Sequence, residues 1–158
     1  MSNPSPAVQD FYPEGFSHCL GCGRLNTHGR QFKTRIEGDE SVTRFTPNPQ
    51  DTAVPGFVYG GLIAALIDCH AMATASAAAV KASGHDVGTV PSPRFVTASL
   101  KVDYMKPTPL GPALEARGRI RERSERKAIV EVTLSANGVV TAKGEVVAVA
   151  MPNTMDRS

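Results

Sequence analysis

At 158 residues the chain is long enough to bury a sizeable core in one domain and too short for two. Hydrophobic residues make up 41% and charged residues 20%, an ordinary globular balance. A net charge of +2 is too small to point to nucleic acid, and a pI near 8.5 is compatible with a phosphate-bearing ligand and says no more.

The opening MSNPSPAVQD lacks the basic stretch and apolar run of a signal peptide, so a cytoplasmic protein is expected. Residues 1–30 are rich in Pro, Gly and polar groups without a sustained period. They read as an irregular leader, packed on the domain or frayed, before a domain of residues 31–152 and a tail of 153–158. Cys19 and Cys22 form a Cys-x-x-Cys pair with His18 and His28 nearby. Structural zinc asks for four ligands and only one such pair exists, so packing or a tight turn is the preferred reading and no metal is expected. An odd number of cysteines, one of them inside a helical stretch, fits free thiols in a reducing compartment better than a disulfide framework.

Residues 31–36 and 42–46 predict two short strands around the turn Glu37-Gly38-Asp39-Glu40, followed by a loop over 47–55 punctuated by prolines. Residues 60–84 predict one long helix: it is rich in Ala and Leu, free of Pro, and ends on a Gly suited to the C′ position. The stretch from Leu62 to Val80 is nearly long enough to span a bilayer. It holds Asp68 and His70 and is otherwise largely alanine, so a buried helix and no membrane partner are expected. Being apolar nearly all round, it should be wrapped by other elements.

After a loop over 85–94, Val96, Ala98, Leu100, Val102 and Tyr104 alternate with Thr97, Ser99, Lys101 and Asp103 in a strand period. Residues 114–123 form a further strand with Arg117, Arg119, Arg121 and Arg123 on one face. These arginines suit either a phosphate-bearing ligand or a solvated face balanced by Glu115, Glu122 and Glu125. Residues 128–135 and 139–151 flank Asn137-Gly138, a type I′ hairpin signal. Two strands, one apolar helix and about four more strands make an α+β chain. This matches the hotdog arrangement, one central helix wrapped by a curved antiparallel sheet of five to six strands, although element order alone leaves other α+β folds open.

Two features carry chemistry. Gly60 and Gly61 open the helix, where the first N–H groups lack intrahelical partners and the macrodipole is positive. Without side chains they leave room for a ligand oxygen, such as the oxyanion of a thioester under attack; a tight loop-to-helix turn is the plain alternative. Asp68 is an acid in a helix that otherwise avoids charge, so it must meet a donor, a cavity or another chain. It reads either as a cap for buried backbone or as a general base or nucleophile tuned by apolar surroundings. Gly60 and Asp68 lie about 12 Å apart along a helix axis, too far for one helix to offer both to a single thioester. A two-fold dimer facing Asp68 of one subunit with Gly60 of the other resolves this. His70 lies about 200° round the helix from Asp68 and reads as a core or interface residue.

PGFVYGGLIAALID (Pro55 to Asp68) resembles the PGFVHGGxxAxxxD signature of hotdog acyl-CoA thioesterases, especially the PaaI-type enzymes and thioesterase superfamily members. TASLKVDYMKPTPLG (Thr97 to Gly111) resembles that family's next block, and CLGCG (Cys19 to Gly23) a leader found in part of it. The resemblance implies hydrolysis of an acyl-CoA by a homodimer or homotetramer, with CoA as leaving group and no bound cofactor. It places Asp68 on the catalytic carboxylate, Gly60 on the oxyanion-hole glycine beside Gly61, and Thr97 on a residue that helps hold the attacking water. Arg126 and Lys127 fall on a turn near the CoA. One position departs: Tyr59 stands where the family has His. Tyrosine can donate a hydrogen bond to the carbonyl but, with a pKa of about 10, does not shuttle protons near neutral pH. A hotdog hydratase or dehydratase and a non-catalytic acyl-CoA-binding module are the alternatives; Tyr59 argues against the former, which wants a histidine.

Overall fold

A computed structural model describes residues 3–157. After two short 3-10 turns (Val8–Phe11 and Glu14–Phe16) come β1 (Thr34–Glu37), β2 (Glu40–Phe45), α1 (Gly60–Ala82), β3 (Phe95–Tyr104), β4 (Leu114–Arg123), β5 (Lys127–Ala136) and β6 (Val139–Ala150), then a last 3-10 turn (Asn153–Met155). The strands form one six-stranded sheet in the order β1-β2-β4-β5-β6-β3, antiparallel throughout. α1 touches every strand. This is the hotdog fold.

The sheet can take a helix this closely because its inner face is built from small residues. Along β4, β5 and β6 alternate positions turn inward, and many are alanine: Ala116, Ala128, Ala136, Ala142 and Ala148 are all buried. α1 answers with buried Ala71, Ala73, Ala75 and Ala77 between Leu66, Ile67 and Val80. Two glycines mark the tightest approaches. A Cβ at Gly144 would stand 2.4 Å from Ile67 Cγ2, and one at Gly118 would stand 2.7 Å from His70 Nε2. α1 is the one helix among the described residues with the length and composition to cross a membrane, but most of it is buried inside the domain.

The helix ends as its composition predicts. Gly84 has φ +86, its N–H donates to Lys81 O, and the His85 N–H donates to Val80 O, the paired bonds of a Schellman cap. The β5–β6 turn likewise has positive φ at both Asn137 and Gly138, as a type I′ hairpin requires. β1 starts three residues later than expected. Gln31 sits in the left-handed region at φ 59, and its side-chain amide donates to Gly23 O and Asn26 O, binding that stretch into the leader instead of the sheet.

The described part of the leader is packed, not frayed. Val8, Tyr12 and Cys22 join the core, and the buried Gln9 exchanges two 2.8 Å hydrogen bonds with Thr34. His70 is a core histidine: its ring nitrogens meet Thr43 Oγ1 at 2.6 Å and Ser41 Oγ at 2.9 Å, and burial pushes its pKa down to about 3. Of the arginine stripe of β4, Arg117, Arg119 and Arg121 are solvated and paired, whereas a bulge between Ile120 and Glu122 sets Arg123 opposite the buried Ala128 and off the face expected for it. Arg117 meets Glu115 and Glu40, Arg119 meets Glu40, and Arg121 meets Glu131 and Glu145. Glu115 is thus a partner as expected, while cross-strand acids do the rest.

The loop before α1 is pinned at Asp51, which is 1% exposed. Its carboxylate accepts from Arg30 at 2.7 Å and from the Asn48 N–H at 2.8 Å, while its carbonyl accepts from the Tyr59 N–H at 3.2 Å. That last bond sets the direction in which the helix leaves the loop.

Two stability measurements check this account. Gly144→Ala should cost about 1–3 kcal/mol in urea unfolding, because the new methyl meets a packed Ile67, and Ile67→Leu in the same chain should recover part of it. Additive losses would show that the two sites do not touch. Asp51→Ala should cost roughly 2–4 kcal/mol by removing the buried acceptor that serves both the Arg30 guanidinium and the Asn48 N–H; an unchanged unfolding midpoint would refute the pinning role.

Candidate functional site

The start of α1 is held from two sides. The Val58 N–H donates to Thr108 O at 2.9 Å, beside the Tyr59–Asp51 bond. Tyr59 occupies the N-cap with extended backbone, no side-chain cap and no acidic residue in the first turn, so nothing in the helix offsets the positive end of the dipole. Gly60 is half-buried and Gly61 exposed. The Tyr104 hydroxyl donates to Gly60 O at 2.7 Å, so the Gly60 carbonyl is occupied while its N–H begins the helix without an i−4 acceptor. The Tyr59 ring lies against Gly61, where a Cβ would come within 2.8 Å of it. Val54, Phe57, Ile63, Tyr104 and Met105 line an open, largely apolar cleft of about 550 Å³ at this end of the helix.

Two turns along α1, Asp68 is half-buried and accepts a 2.5 Å hydrogen bond from Thr97 Oγ1. Its second oxygen, Oδ2, has no hydrogen-bond partner among the described residues. Burial raises the pKa of this carboxyl, the Thr97 bond opposes that shift, and the charges of Cys19 and Arg94 act in opposite directions as smaller influences. The Asp68–Thr97 contact depends on an irregularity in β3. Thr97 pairs with Ala148 and Ser99 with Val147, so Ala98 is an extra residue, a β-bulge. Plain alternation puts Thr97 on the face opposite Val96 and Tyr104. The bulge reverses the phase, so that both Thr97 and Tyr104 reach α1, at Asp68 and Gly60 respectively.

The site residues anticipated from sequence therefore fall into three places. Tyr59, Gly60 and Gly61 sit together at the helix start. Asp68 and Thr97 sit together farther along. Arg126 is exposed on the turn between β4 and β5, and Lys127 is exposed as the first residue of β5. The register sets Lys127 opposite Val149, which is opposite Val96, so this basic turn is at the same end of the sheet as Thr97. Within one chain Gly60 and Asp68 remain apart, about 12 Å along the axis.

Arg94, Tyr104 and the thiols were not anticipated in these roles. The Arg94 guanidinium lies 5.0 Å over the Tyr12 ring and acts on Asp68 from the residue before β3. Cys19, Cys22 and Cys69 form one cluster next to Asp68, with their ligating atoms within 4.8 Å of one another. Hydrogen bonds from Cys22 and Cys69 hold the Cys19 thiol well below the ordinary range, and the same contacts push Cys22 up to about 12 and Cys69 upward. The signals in the sequence were the Cys-x-x-Cys pair and a cysteine following the unusual acid.

Comparison with known proteins agrees with the fold. The family model described as the thioesterase superfamily matches residues 55–149, more than half of the chain. A thioesterase superfamily protein from Shewanella loihica PV-4 is 46% identical, with a TM-score of 0.66 over 80% of this chain and 96% of that one. The E. coli PaaI protein from the phenylacetic acid degradation operon is 12% identical, with a TM-score of 0.62 over 78% and 81%. The smu.793 protein of Streptococcus mutans UA159, solved bound to acetyl CoA, is 20% identical, with a TM-score of 0.59 over 76% and 88%. The last two share the fold alone. A search of curated proteins finds no match. On the family match, and on the Shewanella relative that shares nearly half of its residues, the chain belongs to the thioesterase superfamily.

Proposed function

We propose that this protein hydrolyses an acyl-CoA thioester at a site shared between two copies of the chain, with Asp68 as general base. The observation that carries the proposal is a half-buried carboxylate with one oxygen bonded by Thr97 and the other free, in a helix otherwise without acids. Burial makes such a carboxylate a stronger base than a solvated one. The acetyl CoA held by the S. mutans neighbour supports the choice of substrate.

The sheet supports the sharing. β3 is an edge strand of ten residues, mostly exposed, with Leu100 and Tyr104 open to solvent. A long edge of unpaired N–H and C=O groups is a template for another strand. Antiparallel pairing of β3 with the same strand of a second copy would make one continuous sheet and lay the two helices side by side in opposite directions. The helix start of one subunit would then face Asp68 of the other.

The thioester carbonyl oxygen would accept from the Gly60 N–H at the positive end of the helix, with the Tyr59 hydroxyl as a further donor. Asp68 of the other subunit takes a proton from water as its oxygen adds to the carbonyl carbon, and Thr97 fixes the carboxylate that orients that water. Collapse of the tetrahedral intermediate breaks the C–S bond, the proton held by Asp68 passes to the departing sulfur, and CoA and the free acid are released. Arg126 and Lys127, exposed and positive, offer partners for the CoA phosphates.

Release of free thiol from a panel of acyl-CoAs tests the chemistry. Asp68→Asn should lower kcat by about 10²–10⁴ while the fold and CoA binding persist, and Thr97→Val should lower it by roughly tenfold. Full turnover by Asp68→Asn would rule out the base. Products hydrated at the β-carbon would indicate a hydratase, and CoA binding with no turnover a binding module. Sharing is tested by co-expressing Asp68→Asn with Gly60→Val. Each variant alone should be inactive, whereas mixed dimers contain one intact site and should return about one quarter of wild-type activity. A mixture as inactive as its components would place each site within one chain.

A further inference from the structure

We propose that Cys19, Cys22 and Cys69 bind one thiophilic cation, Zn²⁺ or Cu⁺, and so tie the leader to α1. The three ligating atoms lie within 4.8 Å of one another, and Cys19 Sγ is 3.8 Å from Cys69 Sγ. Zinc–thiolate bonds of about 2.3 Å at tetrahedral angles put two sulfurs about 3.8 Å apart, whereas a disulfide would draw them to about 2.05 Å. Soft thiolate donors favour Zn²⁺ and Cu⁺ over harder cations.

The surrounding chain is shaped for this convergence. The Gly23 N–H donates to Cys19 O at 2.8 Å and closes the Cys-x-x-Cys segment into a tight loop. A Cβ at Gly21 would stand 2.4 Å from Cys69 Sγ, and one at Gly23 would stand 2.4 Å from Cys19 N. Only because both are glycine can the loop close and bring its sulfurs onto the helix. The backbone N–H groups of Gly21 and Cys22 also point at Cys19 Sγ.

A second observation points to a missing partner. The Tyr12 hydroxyl is buried without a hydrogen-bond partner among the described residues. Tyr12 shares one core cluster with Cys22 and Cys69, against which Cys19 packs, so an orphan donor lies in the same part of the core as the thiols. Three protein ligands leave a fourth position to a water or hydroxide, which can accept that hydrogen bond. Three thiolates and a divalent cation carry one net negative charge, which the Arg94 guanidinium over Tyr12 offsets. The sequence showed only one Cys-x-x-Cys pair and so led to no metal; the third ligand comes from the core helix, in the position after Asp68. The inference does not depend on the thioesterase activity.

The test uses the full chain, reduced and stripped with a chelator. Zn²⁺ titration against a chromophoric chelator should show one ion per chain, and Zn²⁺ should protect all three thiols of the wild-type protein from alkylation. Cys22→Ser and Cys69→Ser should each abolish stoichiometric binding, while His18→Ala with His28→Ala should leave it intact. A parallel Cu⁺ titration decides between the two ions, and saturation by either supports the site. Thiols equally reactive with and without both ions would overturn the proposal, as would binding that survives Cys22→Ser. The protection measurement needs no variant, so a misfolded mutant cannot obscure the result.

Discussion

The closeness of α1 to the sheet governs the rest of the molecule. A helix apolar on nearly every side must lose contact with water all round, and a curved sheet lined with alanine and glycine lets it do so at short range. Gly144 receives Ile67 and Gly118 receives His70, so these positions fix both the depth of the helix and its rotation about its own axis. That rotation points Asp68 toward β3 and not toward the middle of the sheet. Packing thus positions an acid that no local rule would place.

The consequences meet at β3. As the sheet edge it leaves one flank of α1 incompletely covered, which keeps Asp68 half-buried instead of sealed. Its bulge gives Thr97 and Tyr104 the same facing, so one strand touches the helix at both the carboxylate and the glycine start. Both chemical features therefore lie along the same edge, where the proposed second subunit would add. An edge strand of this length is an aggregation hazard in a lone chain; pairing with its own copy would remove the hazard and complete the site together.

The leader takes part in the same construction. Gln9 ties it to β1, Tyr12 stacks with Arg94, and the Cys-x-x-Cys loop closes on the helix one residue from Asp68. An ion held there would brace the helix beside Asp68, through bonds stronger than packing alone supplies.

What the sequence determined by itself was set by local periodicity and turn chemistry. The proline-free alanine run, Gly84, the Asn137-Gly138 turn and the alternating strands each specify their own conformation, so element order was legible, as was the oddity of an acid in an apolar helix; that order left other α+β folds open, and the resemblance of the Pro55–Asp68 and Thr97–Gly111 blocks narrowed it to the hotdog fold. Strand ends were less so, because Gln31 is held by leader carbonyls that its own neighbours do not reveal. Only the tertiary structure decided which residues meet. The facing of Thr97 turns on a bulge set by pairing with β6, and the approach of Arg94 to Asp68 on the path of the loop before β3. The third thiol joins the first two across the fold, because helix rotation against the sheet, not spacing along the chain, brings Cys69 to the leader.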